Sequence, residues 1–151
     1  MMKRNVLSLV LVVLLPFTVS AQDFLDLAKT EINFEKRALV AEAMDIPSSQ
    51  SVEFWNTYSD FETEINRIGD QRIANIKKFA DNFENMSDKV ASEIASTYFS
   101  THQDRYKVYK KYYNKFAKTI GDKKAVRFYQ IMDQIQLLID LQIASEEPLI
   151  E

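Results

Sequence analysis

His102 is the only histidine of this 151-residue chain, and cysteine is absent. A lone imidazole has no second histidine and no Glu-x-x-His spacing of the kind that builds di-metal sites in helical bundles. The lack of cysteine excludes disulfides, thiolate metal sites, c-type haem attachment and a cysteine nucleophile. No Gly-rich phosphate loop, recognisable Ser-His-Asp frame or isolated acidic pair is present. The chain therefore reads as non-enzymatic, with no catalytic residue, metal or cofactor expected, and His102 reads as a hydrogen-bonded member of an aromatic seam.

Two charged features remain. Arg72 falls where a helical stripe requires an apolar residue. A guanidinium there costs several kcal/mol unless it is paired and hydrogen-bonded. Asp133 and Glu93 are the expected partners; the other options are a seam turned so that Arg72 reaches solvent, or an anion site. The second feature is a basic segment. Between Arg105 and Arg127 nine basic residues stand against one acid, Asp122, in a chain of net charge −3. Arg105, Lys107, Lys110, Lys111, Lys115 and Lys118 interleave with Tyr106, Tyr109, Tyr112, Tyr113 and Phe116. Such a stripe can attract acidic proteins, anionic headgroups or cell-wall polymers. It also resembles a nucleic-acid surface, a partner that export to the envelope argues against. In the plainer reading the aromatics form a core seam, and the lysines are its solvated face, pairing with acids such as Glu62, Glu64 and Asp81.

The elements that must position these residues are helices. Two glycines and three prolines leave few breakers, and Pro47, Gly69 and Gly121 are far apart. The first helix is expected from Asp23 to Met44, since the residue before Pro47 is driven out of helical geometry. The second runs from about Ser49 to Phe83. Its stripe of Phe54, Tyr58, Phe61, Ile65, Ile68, Ile76, Phe79 and Phe83 is spaced by threes and fours apart from a defect at Gly69 and Arg72. Ser87 is placed to cap a third helix. Ala95, Phe99, His102, Tyr106, Tyr109, Tyr113, Phe116 and Ile120 form its expected seam, with coiled-coil-like spacing. After Gly121, Asp122 is the expected cap of a fourth helix from Lys123 to about Ala144. That helix should bury Phe128, Ile131, Met132, Ile135, Leu138 and Ile139, while Leu137 and Leu141 point the opposite way. A helix apolar on two sides lies inside a bundle or meets a second subunit, so a homodimer is a possible state. The fold class is all-α, three to four long helices in an antiparallel bundle or a helical hairpin.

Lys3 and Arg4 precede the apolar run Val6–Leu15, and Val19-Ser20-Ala21 offers small residues to a signal peptidase. The run is too short to cross a roughly 30 Å hydrocarbon core as a helix. Residues 1–21 are thus expected to be a secretory signal, with 22–151 forming one helical domain of the periplasm, not membrane-embedded. No cysteine follows the run to carry a lipid.

A weak repeat appears at an offset of forty residues. Ile46-Pro47-Ser48-Ser49-Gln50, followed by Phe54 and Tyr58, matches Met86-Ser87-Asp88-Lys89-Val90, followed by Ile94 and Tyr98. Any helix start with an apolar residue before its cap shares this form. The pattern also resembles the L-T-x-x-Q motif of the Spy/CpxP group of small periplasmic helical proteins. Pro47 replaces the Thr in the first copy, and Val90 replaces the Gln in the second. Phe54-Trp55 with Tyr58, Lys124 to Ile131 (including Arg127, Phe128 and Gln130) and Pro148-Leu149-Ile150 resemble a group of uncharacterised exported helical proteins of Gram-negative bacteria. Met132-Asp133-Gln134 stands where that group continues with Glu-Asn-Lys. These resemblances imply a periplasmic module that binds non-native or envelope proteins, as a chaperone or stress adaptor. The alternative is a structural or regulatory module docking on one envelope partner.

Overall fold

The computed structural model describes residues 35–146. The signal segment 1–21, the first part of the first expected helix and the Pro148-Leu149-Ile150 ending lie outside the described residues. Within them the protein is all-α, with no strand. Helix α1 is described over residues 35–44; α2 is Ser48–Asn82, α3 Asp88–Ile120 and α4 Asp122–Glu146. A single 3-10 turn, Phe83–Asn85, follows α2. No helix among the described residues is long and apolar enough to cross a membrane.

The helix ends follow from local chemistry. Helix α1 stops at Met44, and Asp45 takes a positive φ of 44° before Ile46 and Pro47. Helix α2 then runs unbroken through Gly69 and Arg72. The Ser87 side chain accepts a hydrogen bond from the Val90 amide at 3.3 Å, capping α3 as expected. Gly121 separates α3 from α4 with φ 80° and ψ 154°, a combination closed to residues with a Cβ. Asp122 lies inside the first turn of α4 and is not its cap. Its carboxylate accepts the Tyr113 hydroxyl at 2.8 Å and places negative charge at the positive end of the helix dipole.

Helices α2 and α3 form an antiparallel hairpin. Phe54 meets Phe116, Glu64 meets Tyr112, and Asn75 meets the Ile94 carbonyl. Helix α4 folds back antiparallel to α3, with Phe128 against Phe116 and Tyr129 against Tyr109. It consequently runs parallel to α2. The end of α1 lies across the start of α4, where Lys124 Nζ donates to the Asp45 carbonyl and Arg127 Nε to the Ala43 carbonyl, both at 3.1 Å.

Most of the core is aromatic. Phe54, Tyr58, Phe61, Phe116 and Phe128 are fully buried, joined by Val40, Met44, Val108, Tyr112, Ile120, Ala125 and Met132. Phe61 lies at its centre, with ring centroids 5.4 Å from Phe128, 5.7 Å from Tyr112 and 5.9 Å from Phe116. The hydroxyls at the edge of this cluster are satisfied: Tyr112 donates to Glu64 at 2.7 Å and Tyr129 to the Tyr109 carbonyl at 2.9 Å. Burial pushes the Tyr109 phenol up to about 12. Burial first, and then the Glu64 hydrogen bond, raises Tyr112 similarly.

Two parts of the expected seams are corrected. In α3 the buried residues are Thr101, Val108, Tyr112, Phe116, Thr119 and Ile120, whereas Phe99 and Tyr106 are exposed. Helix α3 turns one side to α2 along its length, but meets α4 mainly near the Gly121 turn. Tyr109 and Tyr113 reach Tyr129 there; Phe99 and Tyr106, further from the turn, are left uncovered. Threonine occupies the buried side because its hydroxyl returns to the helix. Thr101 Oγ1 donates to the Thr97 carbonyl at 2.9 Å, and Thr119 Oγ1 to the Lys115 carbonyl at 3.1 Å. In α4, Leu138 is 67% exposed and joins Leu137 and Leu141 on the outer face. Phe128 and Met132 are buried as expected, with Ile131 and Ile135 packed beside them.

Candidate functional site

Arg72, Asp140, Gln136, His102 and Arg105 converge where α2, α3 and α4 meet beyond the aromatic core. Arg72 Nη1 donates to Asp140 Oδ1, and Gln136 Nε2 donates to the same oxygen at 2.7 Å. The Arg72 and Asp140 side chains are 23% and 32% exposed, so the pair is half-sheltered. The expectation of a carboxylate partner for Arg72 holds, but the partner is Asp140 instead of Asp133 or Glu93. The register of the two parallel helices explains the choice. Phe61 and Tyr129 touch at a separation of 68 residues, and Arg72 to Asp140 repeats that separation three turns along. Asp133 falls two turns too early, and Glu93 is held by Lys78.

His102 lies beside this pair. Arg105 Nη2 approaches His102 Nδ1 at 3.2 Å, and the Tyr98 ring centroid is 4.5 Å from the imidazole. Partial burial lowers the His102 pKa. The charges of Arg105 and Arg72 lower it further, and Asp140 opposes them. A neutral imidazole accepting from Arg105 at Nδ1 satisfies this contact. Burial alone would raise the Asp140 carboxyl; the Arg72 and Gln136 hydrogen bonds and the Arg72 and Arg105 charges outweigh it and hold the group below the usual carboxylate range.

These two shifts make a prediction with opposite signs. Followed by proton NMR, His102 titrates below an ordinary histidine in the native protein. Arg105→Gln raises its pKa toward the ordinary value, and Asp140→Asn lowers it further. A His102 that titrates normally, or that shifts the same way in both variants, would contradict the cluster. For stability, a depressed histidine pKa favours the fold above the unfolded value near 6.5. That contribution is lost as pH falls from there through the folded pKa.

The basic residues of α3 do not stand together as free cations. Lys107 pairs with Asp104 at 2.9 Å and Lys111 with Glu64 at 2.6 Å, the latter one of the acids expected to receive a lysine. Lys115 Nζ lies 4.6 Å above the Tyr112 ring. Arg105 turns to His102, while Lys110 and Lys118 are exposed on the outer side. Lys124 and Arg127 hold the last carbonyls of α1, a role not read from sequence although their i, i+3 spacing puts them on one face. With Asp45, Asp122 and Gln130 they line an open groove beside the start of α4.

The two motif-like stretches serve the helix starts. Ile46 packs onto the core, the Gln50 amide donates to the Pro47 carbonyl at 2.9 Å, and Phe54 and Tyr58 are buried. Trp55 is half-buried beneath the Arg37 guanidinium, 4.4 Å from the ring centroid. Met86 is half-buried next to the Ser87 cap, and Ile94 is half-buried where Tyr98 is exposed.

What remains open to a partner is apolar. Among the described residues the exposed large aromatics are Tyr98, Phe99 and Tyr106, all on α3, at 52%, 63% and 63% exposure. Phe99 and Tyr106 are two helical turns apart, about 10 Å, on one flank. Lys110 follows Tyr106 by a further turn, and Lys107 adjoins it. No group of three or more His, Asp or Glu side chains among the described residues converges to hold a metal ion. No buried side-chain nitrogen or oxygen among them lacks a hydrogen-bond partner. No family model, curated protein or solved structure matches the chain.

Proposed function

We propose that the protein is a non-catalytic, periplasmic protein-binding module, chaperone-like in action, that holds partly unfolded or envelope proteins on the exposed flank of α3. The observation that carries this reading is the aromatic set Tyr98, Phe99 and Tyr106, left in solvent by a fold that buries its other aromatic stripe. Exposed rings with lysines beside them offer apolar contact together with attraction for acidic chains. Contacts of this kind are weak one at a time, so a client can leave without ATP. The secretory signal read in residues 1–21 and the resemblance to the Spy/CpxP group support the same compartment and the same activity.

The expected result is that the purified protein, at several-fold molar excess and low salt, suppresses the aggregation of an acidic reporter protein. Raising the salt to about 0.1 M, where charges are screened beyond about 10 Å, weakens the effect. No suppression at low salt would sink the proposal. If one stoichiometric envelope partner is recovered by crosslinking in cells, in place of many proteins, the α3 flank serves a dedicated docking role.

A further inference from the structure

We infer that the outer face of α4 is a homodimer interface, in which two copies pair their α4 helices antiparallel across a two-fold axis. Leu137, Leu138 and Leu141 are 68%, 67% and 65% exposed. Their i, i+1 and i+4 spacing makes them one contiguous patch, on the side of the helix away from Phe128 and Met132. Exposed apolar patches of a few hundred Å² mark interaction sites. The patch is flanked by Gln130 and Gln134, which are exposed and uncharged, so covering it removes no ion from water.

The charge pattern of the helix selects a second copy and sets its direction. Lys123, Lys124 and Arg127 lie at the start of α4, while Glu146 ends it and Glu147 follows in sequence. Lys124 and Arg127 bond to neutral carbonyls, so their charges remain uncompensated by those contacts. A two-fold axis near the leucines sets the basic start of each helix against the acidic end of the other, and opposes the two helix dipoles. A parallel pair would bring like charges together. An interface formed by one surface meeting itself is the form that two-fold dimers require. The three leucines form a small core relative to the ~800 Å² per partner of a stable complex, so the dimer should be concentration-dependent. This inference uses a different helix from the α3 flank and stands independently of the proposed function.

Sedimentation velocity of the purified protein across a wide concentration range tests it. The expected result is a monomer–dimer equilibrium that Leu137→Gln with Leu141→Gln weakens by about tenfold or more, with the far-UV circular dichroism and urea midpoint no lower than before. The chain has no cysteine, so single cysteines report direction. Leu138→Cys, near the axis, crosslinks to its own copy under mild oxidation, and Gln130→Cys does not. A monomer at every concentration, a dimer indifferent to the leucine changes, or efficient crosslinking through Gln130→Cys would each overturn the inference. A monomer in which the leucines are protected from solvent would assign the face instead to another segment of the same chain, such as residues 22–34.

Discussion

Phe61→Ala is expected to lower the unfolding free energy by about 3–5 kcal/mol, the range for emptying a large aromatic site in a packed core. Phe61 is 1% exposed and touches rings from both of the other long helices: Tyr109, Tyr112 and Phe116 on α3, Phe128 and Tyr129 on α4. Collapse into the space is limited because these neighbours are themselves fixed, Tyr112 by Glu64 and Tyr129 by the Tyr109 carbonyl. Against a total stability of roughly 5–15 kcal/mol, the variant is marginal or unfolded. Urea unfolding followed by circular dichroism measures the change. Phe61→Leu, which keeps most of the volume, should cost less. A loss for Phe61→Ala below about 1 kcal/mol would mean that the rings do not form a tight core.

The second large effect is at the α2–α4 contact. Arg72→Ala leaves Asp140 half-sheltered with only Gln136 as a donor, and is expected to cost about 1–2 kcal/mol after allowance for its exposure. Asp140→Leu combined with Arg72→Met should recover most of that loss, because apolar side chains of similar size carry no desolvation penalty there. The pH dependence follows from the depressed Asp140 carboxyl. Its contribution is present above the ordinary carboxylate pKa near 3.9 and is lost as pH falls from there through the lower folded value. Arg72→Ala should flatten that acid limb. If Arg72→Ala and the double variant are equally destabilised, the pair is not what joins these helices.

Helix positions are legible from the chain because the breakers are rare and chemically clear: Pro47 ends α1, Ser87 caps α3, and Gly121 alone permits the backbone between α3 and α4. The faces of the helices are less legible. Hydrophobic spacing alone points to Phe99 and Tyr106 as the seam of α3, but whether a stripe is covered depends on how far the neighbouring helix reaches. Burial of Thr101 and Thr119 has no hydrophobic signal at all, since each is tolerated through a hydroxyl turned back on its own helix. The candidate site divides the same way. The need of Arg72 for a carboxylate is local chemistry, whereas the choice of Asp140 follows from a register shared by two helices far apart in sequence. Leu138 was expected inside on the same grounds as Ile135, yet lies outside with Leu137 and Leu141, where a single chain supplies no cover among its described residues.

The central claim is that the aromatic flank of α3 is a binding surface and contributes nothing to the core. Its most direct test is the paired variant Phe99→Gln, Tyr106→Gln, measured side by side with the unchanged protein for unfolding and for suppression of reporter aggregation. Both side chains are 63% exposed, so the unfolding free energy should move by no more than about 0.5 kcal/mol, while suppression is lost. A variant that stays folded and still suppresses aggregation as well as the original would contradict the claim.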